Sequence, residues 1–337
     1  MEIGQHRLTW QEARSTGITV LEKAGVPTAL AQTQIDLLLE AELRGRSSHG
    51  LLRLPRIVER ISNGVAHPTS TGQHTWQGSA LLQVDGQNGL GPVVAFAALA
   101  SICAKAKETG VAVAAIHNNN HIGMLALYAE HVAKQGQVLI ALSTSEALVH
   151  PWGGRQAMLG TNPVAIGVPA EPLPFVLDMA TGLISMGQVH DYAHRNQPLQ
   201  PGWALDGDGE PTTNAAAAKE GAIAPFGDAK GYALGLAFEV LVASLTGTAL
   251  GRDVKGTLDA SNICNKGDVF IVIEPASSTM TTSISQYLDA IRQCAPADPK
   301  KPVVVPGDRA HKQRVKNMEN GFYIAQPIWQ EICKLAH

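Results

Sequence analysis

The sequence predicts an α/β fold of alternating strands and helices. Apolar runs of strand length recur at residues 80–84, 111–116, 138–143, 164–168 and 269–273. Between them lie stretches whose apolar residues follow helical spacing. The chain is long enough for a proper core, with 337 residues, 45% apolar and 16% charged.

Composition narrows the function classes. A net charge of −3 implies no polyanion-binding surface, hence no nucleic-acid partner. No apolar run is read as reaching the roughly 18 residues of a membrane span. The start, Met1 to Gln5, lacks the basic and apolar regions of a secretory signal. Cys103, Cys264, Cys294 and Cys333 form no CxxC pair, which argues against a zinc ribbon or a disulfide framework. Reduced thiols fit a cytoplasmic enzyme.

Taken in order, Thr9-Trp10-Gln11-Glu12 fits a capping box that starts a first helix, ending by Gly25. Pro27 opens a second helix with Ile35, Leu38, Leu39 and Leu43 on one face, broken at Gly45. A third carries Arg53, Ile57 and Ile61 as far as Asn63-Gly64. Residues 80–84 read as a strand, and Gly89-Leu90-Gly91-Pro92-Val93-Val94-Ala95 then matches GxGxxA before an Ala-rich helix. That outline suggests a Rossmann phosphate loop. Against it, four residues separate strand from glycines, Pro92 removes a backbone donor, and no acid ends the strand at 111–116.

His117-Asn118-Asn119-Asn120-His121-Ile122-Gly123 follows. Histidines at i, i+4 suggest a metal pair, but no Glu lies between them and no third ligand stands out. The run also reads as a polar loop capping a helix from about residue 123 to 135, or as a glycine-containing helix start facing a ligand. Strands at 138–143, 164–168 and 175 onward come next. A polar loop spans 201–213, a long apolar helix about 232–245, a strand 269–273 and a helix about 283–294.

The chemistry concentrates in Arg44-Gly45-Arg46-Ser47-Ser48-His49-Gly50-Leu51-Leu52-Arg53. A histidine ordinarily titrates near neutrality and can carry a proton. An arginine can fork both oxygens of a carboxylate. If the chain is helical from Ser48, His49 and Arg53 share a face and one pocket can hold an acid and move its proton. The stretch also fits a helix C-terminus with solvated basic residues.

Ser48-His49-Gly50 with Arg53 resembles the signature of the type 2 malate/L-lactate dehydrogenase family, as do Asn120-His121-Ile122-Gly123, Gly160-Thr161-Asn162-Pro163, Asp178-Met179-Ala180-Thr181, Lys230-Gly231 and Pro306-Gly307-Asp308. Members include ureidoglycolate dehydrogenase, diketogulonate reductase and piperideine-2-carboxylate reductase. The resemblance implies a non-Rossmann mixed sheet of the sulfolactate dehydrogenase type, with a helical N-terminal segment and an inserted smaller domain. The expected division is 1–75 packing with 295–337, a main cofactor and dimerisation domain from 76–116 and 215–294, and an insert at 117–214. It implies NAD or NADP as cofactor, a small carboxylic acid substrate and a homodimer.

The implied activity is hydride transfer between nicotinamide and a small 2-hydroxy or 2-oxo acid. An alternative is reduction of cyclic 2-imino acids such as piperideine- or pyrroline-2-carboxylate. His49, oriented by Ser48, and His121 compete as proton carrier. Arg53 and Thr161 would bind substrate. His121, Gly123, Ser145, Asp178, Met179, Ala180, Lys230, Gly307, Asp308 and Arg309 would meet the cofactor, and no metal is implied. Where the family commonly carries a charged residue, this chain has Gln188. Outside the family, a metal hydrolase using His117 and His121, or a non-catalytic cofactor-binding protein, remain the readings to separate.

Overall fold

The computed structural model describes residues 4–277 and 280–337. Residues 1–3, part of the stretch read for a secretory signal, lie outside the described residues. The chain opens with strand β1 (Gln5–Leu8) and helices α1 (Trp10–Lys23), α2 (Thr28–Leu43) and α3 (Leu54–Ser62). Thr9 caps α1 as expected, its hydroxyl accepting from the Glu12 N–H at 3.2 Å. One expectation fails here. His49 and Arg53 do not share a helix, because two 3-10 turns, Ser47–His49 and Leu51–Arg53, flank an extended Gly50.

Seven strands form one mixed sheet, in the order β2 (Gln73–Gln77), β3 (Leu81–Asp85), β4 (Val111–His117), β11 (Asp268–Ile273), β5 (Val138–Ser143), β6 (Val164–Val168) and β7 (Phe175–Met179). Only β3 and β4 are parallel, and helix α4 (Gly91–Thr109) joins them. The βαβ outline is therefore present, but its glycines have another use. A Cβ on Gly91 would lie 2.1 Å from the His121 carbonyl oxygen, so the glycine admits the 118–121 loop rather than a phosphate. The sheet is non-Rossmann: β11 enters from late in the chain between β4 and β5, antiparallel to both.

That insertion also means the sheet does not divide at residue 117. Strands from 117–214 share it with strands from 76–116 and 215–294. The stretch outside the sheet is shorter, holding α6 (Met186–His194), β8 (Ala204–Leu205), β9 (Pro211–Thr212), α7 (Ala215–Ala218) and β10 (Ala222–Ile223). It packs around Val149, Leu159, Ile184, Val189 and Ile223. Gln188 falls in the first turn of α6, where the Ser185 hydroxyl accepts from its N–H at 3.1 Å and caps the helix.

One sheet face is covered by α4 and α5 (Ala126–Lys134) over Val84, Leu99, Ile116, Tyr128 and Phe270. The other is covered by α8 (Ala229–Thr246) through Val242 against Leu142, Val164 and Val269. By length and composition α8 is long and apolar enough to cross a membrane, with mean hydropathy 1.3. Its Glu239 nevertheless points inward, at 2% exposure, and bonds the 160–162 loop. The chain closes with α9 (Met280–Arg292), α10 (Asp308–Asn320), β12 (Phe322–Ala325) and α11 (Gln326–Ala336). Strand β12 pairs with β1, and Phe322, Trp329 and Ile332 join Leu8, Val20, Leu38 and Leu54 in one core. The two chain ends are thereby packed together.

Candidate active site

The site begins where α2 stops. Gly45 takes φ +70° and turns the chain into the two 3-10 turns. Glu42, buried in the last turn of α2, accepts from the Leu51 N–H at 2.8 Å. Burial pushes its carboxyl up to about 7, and the Leu51 bond offsets part of that rise. Gly50 lies against this carboxylate, where an added Cβ would sit 2.1 Å from Oε1. Gly50→Ala is therefore expected to destabilise the protein by about 1–3 kcal/mol, as overpacking does, and to lower kcat by displacing His49. An unchanged melting temperature with unchanged turnover would show that the turn yields freely.

The same turns set three side chains. The Ser48 hydroxyl lies 3.0 Å from His49 Nδ1. The Arg53 Nε donates to the Ser48 carbonyl at 2.8 Å, which leaves both terminal nitrogens without partners among the described residues. Gly187 at the start of α6 packs on Ser48, where a Cβ would come within 3.3 Å. Gln188, one residue on, is exposed and does not line the cleft.

His121 arrives from the β4–α5 connection. Each asparagine before it holds a different element. Asn118 donates to Asp85 at 3.1 Å, Asn119 to Asp268 at 3.2 Å, and Asn120 to the Asn88 and Gly89 carbonyls at 2.7 and 2.9 Å. Gly123 is not a helix start: it takes φ +73° in a turn, and α5 begins at Ala126. The Gly123 N–H donates to His121 Nδ1 at 3.1 Å. The two imidazole rings lie 5.5 Å apart, centre to centre.

Thr161 and Ser145 face the pair from the strand ends. The Ser145 hydroxyl accepts from the Thr161 N–H at 3.0 Å. Asn162, held in a positive φ of 33°, donates to Glu239 at 2.7 Å and to the Gly235 carbonyl at 3.0 Å. The acid in the apolar helix α8 thus anchors the Gly-Thr-Asn-Pro turn.

Ser48, His49, Arg53, His121, Gly123, Ser145 and Thr161 line one cleft. Leu125, Leu148, Met186 and Leu258 supply its apolar wall. Burial pulls His49 down to about 4, with Arg53 and Arg46 adding to the fall. His121 is lowered too, by burial first and then by Arg53, His49, Lys266 and Arg60. Arg53 falls to about 10 through burial and Arg56, and stays cationic at neutral pH. The resting cleft therefore holds two neutral imidazoles beside a guanidinium fork.

The remaining sequence-expected residues lie outside this cleft. Asp178, next to last in β7, accepts from the Ala126 N–H at 2.8 Å, capping α5 through Oδ2. Burial raises it to about 6, against Ala126, Arg46 and Arg44. Its Oδ1 has no partner among the described residues. Met179 packs against the α8 side of the sheet, and Ala180 follows it. Lys230 is exposed in the first turn of α8. Gly307, at φ +96°, and Asp308 line a second depression with Arg44, Phe175 and His311, and Asp308 pairs with Arg292 at 2.8 Å. Arg309 is exposed in α10. Among the described residues no three His, Cys, Asp or Glu side chains converge as a metal site, which leaves His117 and His121 without a third ligand.

Sequence reasoning missed Glu42, Glu146 and Lys266. Glu146 Oε1 accepts from the Thr257 N–H and hydroxyl at 2.8 and 3.1 Å and from the Leu258 N–H at 2.9 Å, closing the cleft with the 257–258 loop. Lys266 lies in the cleft wall and pairs with Asp268.

Comparison with known proteins gives a consistent picture. Residues 8–333 match the sequence model of a family described as malate/L-lactate dehydrogenase. The chain is 36% identical to the L-sulfolactate dehydrogenase of Methanocaldococcus jannaschii over 323 residues, 94% of this chain and 93% of that protein. It is 30% identical to the Δ1-pyrroline-2-carboxylate reductase of Ancylobacter novellus, over 98% of this chain and 97% of that one. A crystal structure described as a dehydrogenase from Sinorhizobium meliloti superposes with a TM-score of 0.96 at 50% identity, covering 99% of both chains.

Proposed function

The chain belongs to the malate/L-lactate dehydrogenase family and is an NAD(P)-dependent 2-hydroxyacid dehydrogenase, and from that premise we propose that His49 carries the proton and Arg53 clamps the substrate acid. The observation that carries this reading is the coupling of both groups through Ser48. Its hydroxyl meets the imidazole and its carbonyl holds the Arg53 Nε, so one turn fixes a proton carrier beside a free fork.

The two histidines differ in which nitrogen is available. His121 Nδ1 already accepts from Gly123, so its neutral ring keeps the hydrogen on Nε2 and faces the cleft as a donor. His49 Nδ1 meets a hydroxyl that can accept, which frees Nε2 to take a proton. In oxidation, His49 Nε2 would take the hydroxyl proton while His121 and Thr161 orient the substrate. Ser48 holds the ring that forms the imidazolium.

When bound, the nicotinamide supplies the hydride acceptor or donor. The residues present fit a dinucleotide that reaches from this cleft past Asp178 to the Gly307 turn. The partnerless Oδ1 of Asp178 suits ribose hydroxyls, and Gly307 leaves a depression flanked by Phe175 and Arg44. His121, Gly123, Ser145, Met179 and Ala180 would frame the nicotinamide end. Lys230, Asp308 and Arg309 would meet the cofactor only through further contacts at the exposed rim.

A second reading is reduction of cyclic 2-imino acids. The apolar wall of Leu125, Leu148, Met186 and Leu258 favours it, since ring methylenes need such a surface. Exposed Gln188 removes no charge from the cleft. Loss of NADH or NADPH absorbance against a panel of 2-oxo acids and cyclic imines tests both readings. Turnover of an oxo acid supports the first, and turnover of imines alone supports the second. Silence on both would refute the site.

The outer face of α8 exposes Leu234, Leu236, Val240 and Leu241. A contiguous apolar face of this kind marks an interaction surface, and we assign it to a second copy of the chain. Val240→Glu with Leu241→Glu should convert a dimer to monomers in analytical ultracentrifugation; a wild-type monomer would overturn the assignment. All four cysteines are free, which supports a reducing, cytoplasmic setting.

A further inference from the structure

We propose that Lys266 is a catalytic residue that donates a hydrogen bond to the reacting oxygen of the substrate. The inference deepens the dehydrogenase reading and rests on it. Lys266 is 1% exposed, yet it lines the cleft beside His49, Arg53 and His121. Its ammonium donates to both carboxylate oxygens of Asp268. An ammonium has three donors, and the third has no partner among the described residues.

Asp268 cannot yield to let the lysine turn away. It is fully buried at the start of β11. The Ser143 hydroxyl at the end of β5 donates to its Oδ1 at 2.7 Å. Asn119, two residues before His121, donates to its Oδ2 at 3.2 Å. The carboxylate thus ties the lysine to the loop that carries one imidazole and to the strand end that leads to Ser145.

A buried ion pair is weak as a stabilising device, because desolvation opposes its attraction. It is well suited to holding a cation where negative charge will develop. In reduction, hydride adds to the carbonyl carbon and the C=O π pair moves onto oxygen. That oxygen then takes the proton from the imidazolium form of His49, while Lys266 keeps all of its own. The lysine acts in the interval when the oxygen is alkoxide-like. A protonated cyclic imine differs, since hydride addition removes its positive charge and creates no anion. A cation at that atom gives it no help.

Lys266→Met alone would strand a buried carboxylate, so the test uses the double variant K266M/D268N, which removes the charge of both. Melting temperature and NADPH or NADH fluorescence report folding and cofactor binding. We expect both near wild type, with kcat on a 2-oxo acid down by about 10²-fold at similar KM, and a cyclic imine affected far less. A double variant that reduces the oxo acid at the wild-type rate would make the pair structural and overturn the proposal alone. Equal losses on oxo acid and imine would also overturn it, by showing that no oxyanion is sensed. Wild-type silence on oxo acids and imines together would overturn both the proposal and the reading it rests on.

Discussion

Replacing His49 with alanine should lower kcat on the best 2-oxo or 2-hydroxy acid by about 10²–10⁴-fold, the usual cost of removing a general acid–base group. Cofactor binding should survive, because His49 is held by Ser48 and not by the depression at Gly307. His121→Gln keeps an N–H donor near the position of Nε2 and should retain more activity than His49→Gln. The reverse order would transfer the proton-carrying role to His121. Near-wild-type turnover in His49→Ala would remove it from the mechanism.

The pH profile adds an independent check. Burial, then Arg53 and Arg46, pull His49 down to about 4, against an ordinary value of about 6.5. In free enzyme the base form therefore persists well below neutrality. kcat/KM for alcohol oxidation should stay flat as pH falls through 6.5 and decline only on approach to 4. A substrate carboxylate on Arg53 cancels part of the charge that lowers His49. The acid limb of kcat, which reports the complex, should lie above that of kcat/KM. A kcat/KM limb centred near 6.5 would mean that the working imidazole is solvated.

The parts of this architecture that were legible in the sequence are those decided locally. β5 and β6 fall where continuous apolar runs placed them, because a strand buried in a sheet carries its own signal. The Thr9 cap was equally plain, its donor and acceptor lying three residues apart. What escaped depends on distant partners. β1 and β12 are each four residues long and acquire their pairing from opposite ends of the chain. Gly91 looked like part of a phosphate loop because glycine reports only that space is needed; its neighbour is the His121 carbonyl. The helix assumed through His49 and Arg53 ignored Gly50, whose extended backbone is dictated by the Glu42 carboxylate. Lys266 and Asp268 carry no local signal of a site. Their partners Ser143 and Asn119 lie 125 and 149 residues away from Asp268 in sequence. Of the residues expected at the site, Ser48, His49, Arg53, His121, Gly123, Ser145 and Thr161 line one cleft, whereas Asp178, Met179, Ala180 and Gly307 lie beyond it and Lys230 and Arg309 are exposed.

Arg53→Ala should reduce kcat/KM for the acid by roughly 30- to 5,000-fold, the equivalent of the about 2–5 kcal/mol lost when one partner of a buried, hydrogen-bonded charge pair is truncated. That range is an upper bound, because the cationic guanidinium is part-buried, with only its Nε engaged in the resting protein. Both terminal nitrogens are then available for two parallel bonds to one carboxylate, a geometry that an ammonium cannot copy. Arg53→Lys should therefore recover only part of the loss. Some of the effect will appear in kcat, since the Nε bond to the Ser48 carbonyl also steadies the turn that aims His49. The carboxylate itself provides the cleaner test. Wild-type enzyme should prefer a 2-oxo acid over its primary amide by a wide margin, because the amide gives Arg53 one oxygen and no charge. In Arg53→Ala that ratio should collapse toward one, with the rate on the amide falling only by the share that the loosened turn costs. A ratio that survives the substitution would remove Arg53 as the clamp, with Arg56, near enough to lower its pKa, the first cation to replace next.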